Sequence, residues 1–181
     1  NEWKRMHLIA PDQLEDVLTE LLNEAKYKTY AIGFKEIIDV EVKPIIVKNV
    51  PYQAYCDFFA GEMHINGDLT YTYQDLKHLV THEAFPGHTT HMKVRQVQTA
   101  KGDVPLDASL VITNTASSSI FEGIGDNGLK FLGWNQSEND DISGILQKMK
   151  SSAAMNGAYM LHQLNQSDEN VREFFKSYIF A

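Results

Sequence analysis

The chain has 181 residues, 43% of them hydrophobic and 10% aromatic, which is enough apolar material for a packed core and argues against disorder. A formal net charge of −8 argues against nucleic acid as a partner, because phosphate binding needs a basic footprint. No run approaches the ~20 apolar residues of a membrane span. Cys56 is the single cysteine, so an intrachain disulfide is impossible and the chain leans toward the cytoplasm, with a secreted or cell-envelope setting as the alternative. The length fits one domain over residues 1–181. The start at Asn1, without Met or an apolar signal segment, reads as a piece of a longer polypeptide.

Leu14, Val17, Leu18, Leu21, Leu22 and Ala25 recur at helical spacing and predict an amphipathic helix over about 12–30, ended by Gly33. β-Branched residues crowd 37–50 and predict a strand interrupted at Pro44. Two more strands are predicted over 52–59 and 63–71, with turn chemistry at Gly61 and at Asn66-Gly67-Asp68. Thr72, with Asp75 three residues on, reads as a capping box that opens a helix carrying Leu76, Leu79 and Val80 on one face. A loop is predicted over 101–108. A second helix follows over about 109–131, weakened in its C-terminal half by Gly123, Gly125 and Gly128. Residues 133–140 are turn-like. Ile142, Ile145, Leu146, Met149, Ala153, Met160 and Leu164 define a long third helix, and Ser167-Asp168-Glu169 caps a last one. The fold class is mainly α (α+β), with a small antiparallel sheet just before the helix that enters His82-Glu83.

That helix carries the chemistry. Zinc hydrolases hold the metal with three protein ligands and keep one position for water. A free carboxylate beside that position can act as the base. His82 and His88 offer two imidazoles, and Glu83 offers the carboxylate. Glu83 falls within the apolar stripe, seven residues after Leu76 and three after Val80, where it needs a cation, a proton or a hydrogen bond. On an unbroken helix, six residues would place the two histidines roughly 9 Å apart in rise and about 120° apart in rotation, which suits no single metal. Pro86 clashes with the carbonyl of His82 and Gly87 adds backbone freedom, so a distorted turn is expected to swing His88 back toward His82.

Rival pairs remain. His78 and His82 stand at i and i+4, and His88 and His91 lie on neighbouring turns. His78 falls opposite Leu76 and is expected to face solvent. Glu122, 34 residues after His88, is the candidate third ligand, against the ordinary reading of a surface glutamate. Asp126, one turn later, could orient a histidine or be a solvated helix-end carboxylate.

The run His82-Glu83-Ala84-Phe85-Pro86-Gly87-His88, followed by Phe121-Glu122-Gly123, resembles the bacterial family catalogued as domain of unknown function 885. Its members carry a His-Glu-x-x-Pro-Gly-His motif and a later Glu-Gly-Trp-Ala-type motif, and are regarded as relatives of the glutamate-liganded zinc metallopeptidases (gluzincins). The likeness runs from about Asn66 to Leu129. It implies a zincin-like, mainly helical core and one Zn2+ per chain held by His82, His88 and Glu122. It also implies Glu83 as base and proton shuttle, and a peptide substrate. The chain departs from the family at Thr89, where a second histidine is frequent, and at Ile124, where the family has tryptophan.

Tyr71, Tyr73, Tyr159, Tyr178 and His162 are candidate donors to a developing oxyanion. His91 as a fourth ligand would mark a structural metal instead. A strand edge beside the helix could pair with an extended peptide, while His64 on that hairpin is expected to face water. The alternative function is a non-catalytic or vestigial metal-binding module, or a fragment inactive without its flanking regions. A single cysteine, distant from the motif in sequence, disfavours a structural zinc. Neither a Gly-x-Ser-x-Gly elbow nor a Gly-rich phosphate loop occurs.

Overall fold

The computed structural model describes residues 2–110, 112 and 115–179. In chain order the elements are helices α1 (Glu2–Met6) and α2 (Leu14–Ala31), strands β1 (Lys43–Val47), β2 (Ala54–Asp57) and β3 (Glu62–Asn66), and helices α3 (Tyr73–Glu83) and α4 (His88–Lys101). Helices α5 (Ala116–Asp126), α6 (Gly128–Phe131), α7 (Glu138–His162) and α8 (Asp168–Ile179) complete them. The protein is mainly helical with one small sheet. Where the sequence reads as one domain, the contacts group Met6–Asn135 into one compact unit and Asn1–Arg5 with Gln136–Ala181 into another.

In the larger unit, α2 buries the predicted stripe of Leu14, Leu18, Leu21, Leu22 and Ala25 against the sheet and α3. The sheet is mixed, which corrects the expected antiparallel one. β3 lies between the other two, parallel to β1 (Ile45 opposite His64) and antiparallel to β2 (Cys56 opposite Met63). Pro44 sits inside β1 instead of interrupting it, because an edge strand accommodates a residue without an N–H. Residues 37–42 are not strand: a 3-10 turn at Lys35–Ile37 drives Ile37 into the core. The third strand stops at Asn66, earlier than predicted. The Asn66 side chain donates to the Val50 and Tyr52 carbonyls and accepts the Asp68 amide, turning the chain locally.

The predicted capping box opens α3. Thr72 Oγ1 accepts the Asp75 amide at 3.1 Å, and Asp75 Oδ2 accepts the Thr72 amide at 3.0 Å. Leu76 and Val80 then lie fully buried against α2. α4 runs on to Lys101 and ends at Gly102 in the left-handed region, φ 78°, as helix C-termini commonly do. The helix predicted over about 109–131 is two helices, α5 and α6, preceded by a 3-10 turn at Leu106–Ser109. Residues 111, 113 and 114 of that prediction lie outside the described residues. Thr115 and Ser118 form the capping box of α5.

In the smaller unit, α7 starts at a Ser137–Asp140 capping box and packs on α8, whose first turn is capped by Ser167 Oγ accepting the Asn170 amide at 3.3 Å. A Cβ at Gly157 would stand 2.5 Å from the Phe175 ring, so this glycine lets the two helices close up. No helix among the described residues is long and apolar enough to cross a membrane.

Candidate metal centre

The site is built on a break between two helices. α3 ends at Glu83, and the Ala84 and Phe85 amides both bond to the Val80 carbonyl, at 3.0 and 3.1 Å. The Phe85–Pro86 peptide is cis, and α4 begins at His88. The chain does not merely kink at Pro86; the helix stops and restarts. Gly87 serves through close approach, because a Cβ there would fall 1.7 Å from the His82 carbonyl oxygen. The outcome is the expected one: the rings of His82 and His88 meet edge to face with centroids 4.8 Å apart.

α5 brings the third group. Glu122 Oε2 lies 3.2 Å from His82 Nε2, and Glu122 Oε1 lies 3.5 Å from His88 Nε2. These three side chains form one of two clusters of potential metal donors among the described residues; the other is His78, His82 and Asp126. A tetrahedral zinc with bonds of about 2.0–2.1 Å separates neighbouring donor atoms by about 3.3–3.4 Å. The 3.2 and 3.5 Å separations, each to a different Glu122 oxygen, are close to that edge length.

Glycines admit α5 so close. A Cβ at Gly125 would be 2.9 Å from His82 Nδ1, and one at Gly128 would be 2.9 Å from the Thr81 carbonyl oxygen. His82 Nδ1 donates to Asp126 Oδ1 at 3.0 Å, which leaves Nε2 as the free lone pair facing Glu122. The glycines that weaken the helix in sequence therefore let it bring Glu122 up to the two histidines.

Burial sets the electrostatics. It holds His88 below the ordinary imidazole pKa, with His82 adding to the effect and Glu122 and Asp126 opposing it, so His88 keeps its lone pair at neutral pH. Burial pushes the Glu83 carboxyl up; His82 opposes this, Glu122 reinforces it, and the Cys56 backbone amide opposes it by bonding to the carboxylate. Cys56 belongs to β2, so that edge strand lies against the site.

Of the sequence candidates, His82, His88, Glu122, Glu83 and Asp126 come together. His91 does not join them. It stacks on Phe121 with centroids 3.6 Å apart and lies 3.3 Å from Arg95 Nη1, and burial with the Arg95 charge lowers its pKa to about 4. Tyr71 is a core residue whose hydroxyl donates to the Asn66 carbonyl at 2.9 Å, which corrects its candidacy as an oxyanion donor. Tyr159 and His162 are exposed on α7 in the smaller unit, where Tyr178 also lies exposed on α8. His64 is half-buried, bonded to Glu62 Oε2 at 2.8 Å and edge-on to Tyr55.

Three residues were misjudged or missed. His78 is half-buried rather than solvated, 3.8 Å from Asp126 and beside the His82 ring. Its i, i+4 spacing to His82 was the available signal. Cys56, remote in sequence, sits against the motif: its thiol is 3.3 Å from Thr89 Oγ1, and burial pushes the thiol pKa to about 11. Thr89 was visible only as a departure from the family pattern. No family model matches the chain, and neither the curated proteins nor the solved structures compared with it contain a match.

Proposed function

We infer that the chain is a metal-dependent peptide hydrolase of zincin-like build, with zinc held by His82, His88 and Glu122 and with Glu83 as general base. The observation that carries this reading is Glu122, which spans the two imidazole Nε2 atoms at 3.2 and 3.5 Å with one carboxylate oxygen toward each. Zinc, when bound, would supply Lewis-acid polarisation of a carbonyl and of a water. Glu83 takes the proton of the attacking water and returns it to the departing amine, a role its raised carboxyl pKa suits by strengthening the base. His82 is fixed in one tautomer by Asp126, and His88 stays neutral through burial, so both present lone pairs. A closed structural metal would need a fourth protein donor, and among the described residues this cluster has three.

The test pairs metal content with turnover on a library of short peptides. Wild type and Glu83→Gln, each loaded with zinc and dialysed, are expected to hold about one zinc per chain. The Gln variant should lose about 10²- to 10⁴-fold in rate. Zinc absent from the wild type after loading refutes the reading. Undiminished hydrolysis by the Gln variant removes Glu83 from the mechanism.

A further inference from the structure

Glu83 is tethered through its backbone. Its carbonyl accepts the hydroxyl of Thr89, from the first turn of α4, at 3.2 Å. In a continuous helix that carbonyl would accept the amide four residues on; α3 ends at Glu83, and the Thr89 hydroxyl takes the place. Thr89 Oγ1 also lies 3.3 Å from Cys56 Sγ. A hydroxyl carries one proton. Since Thr89 gives that proton to Glu83, the thiol must be the donor in the remaining contact. Thiol, hydroxyl and carbonyl therefore form a relay from Cys56 on β2 through Thr89 to Glu83. Thr89 is only 2% exposed, so water does not compete for its hydroxyl.

The geometry points to Thr89, braced by Cys56, as a positioning residue that fixes the Glu83 backbone, and with it the origin of the Glu83 side chain, at the end of α3. The catalytic meaning of this relay rests on the peptidase reading above. A glutamate at a helix terminus has three free side-chain torsions and a backbone released from the helix, since Ala84 has already left helical geometry at φ −114° and ψ −84°. The relay restrains the backbone from which those torsions start. A base misplaced by about 1 Å forfeits rate on the order of a hundredfold even when the substrate binds normally.

Thr89→Val removes the hydroxyl at constant shape, and Thr89→Ser keeps it. In the zinc-loaded protein, Thr89→Val is expected to lower kcat by about 10- to 100-fold. KM and the zinc Kd from chelator competition should stay within about threefold, and Thr89→Ser should recover most of the lost rate. A second readout needs no turnover: Cys56, losing the hydroxyl that opposes the upward push of burial on its thiol, should react with iodoacetamide at least about threefold more slowly in Thr89→Val than in wild type or Thr89→Ser. Equal kcat in Thr89→Val and wild type overturns the proposal, as does a parallel fall of kcat and zinc affinity. If the wild type cleaves no peptide, the peptidase reading fails on its own. Slower alkylation in Thr89→Val then upholds the relay, and unchanged or faster alkylation overturns it.

Discussion

Alanine at Gly125 asks whether the close approach of α5 to α3 sets the metal-binding geometry. The added Cβ would stand 2.9 Å from His82 Nδ1, 3.1 Å from Cγ and 3.2 Å from Cε1. Ordinary van der Waals contact begins about 0.5 Å further out than the shortest of these, so the imidazole or the helix must retreat. Neither is free to. His82 Nδ1 is bonded to Asp126 at 3.0 Å, and Nε2 faces Glu122 at 3.2 Å. Metal sites tolerate displacements of only about 0.2 Å in their ligand distances. Overpacking of this kind costs about 1–3 kcal/mol, which predicts a loss of roughly 10- to 100-fold in zinc affinity at about 1.4 kcal/mol per decade. The assay is competition against a chromophoric chelator at neutral pH, beside a thermal melt. Gly123→Ala is the control, because its Cβ would meet nothing within 4 Å. It should gain roughly 0.5–1 kcal/mol of helix stability and bind zinc as before. A Gly125→Ala protein with wild-type zinc affinity would refute the argument.

Two further outcomes follow from the same geometry. Asp126→Ala strips His82 Nδ1 of its partner, and zinc affinity should fall about 10- to 100-fold while the melting temperature barely moves, Asp126 being exposed; an unchanged Kd would dismiss the orienting role. Burial, with the Asp75 charge adding, pushes Tyr71 from 10.0 to about 12. A folded pKa above the unfolded one means that its contribution is complete below pH 10.0 and is lost as the pH rises through about 12. Denaturant melts should show wild type losing stability between about pH 9 and 11.5 more steeply than Tyr71→Phe. Equal slopes would contradict this. At neutral pH the Phe variant should be weaker by about 1 kcal/mol for the lost bond to the Asn66 carbonyl.

Much of the fold was legible because local chemistry dictates it. The stripe of α2 and the Thr72–Asp75 cap depend on neighbours within a few residues, and both stand where the sequence puts them. So does the break at Pro86-Gly87, which a missing N–H and a crowded carbonyl force whatever the surroundings. Tertiary pairing was not legible. Nothing in Ile45 or Ile46 says that β1 runs parallel to β3, since that direction is set by where the chain returns after β2. The burial of His78 and the arrival of Cys56 beside Glu83 depend likewise on which elements come to lie against α3. Gly125 shows the opposite failure. Its low helix propensity was read correctly, but its purpose appears only once His82 is seen across from it.

Among its described residues α5 buries only Gly125, while Ile120 and Ile124 on the same helix stay exposed. The element that carries Glu122 is thus seated by few side-chain contacts, chiefly Phe121 on His91 and Asp126 on His82, and such segments open at low cost. An ion bridging Glu122 to the two histidines would act as the clasp of this helix, adding its own binding free energy to the docking of α5. Loading and release would then keep the pace at which α5 detaches. The dwell time of such an ion would then depend on a helix that owes its close seat to glycines as well as on the imidazoles that face it.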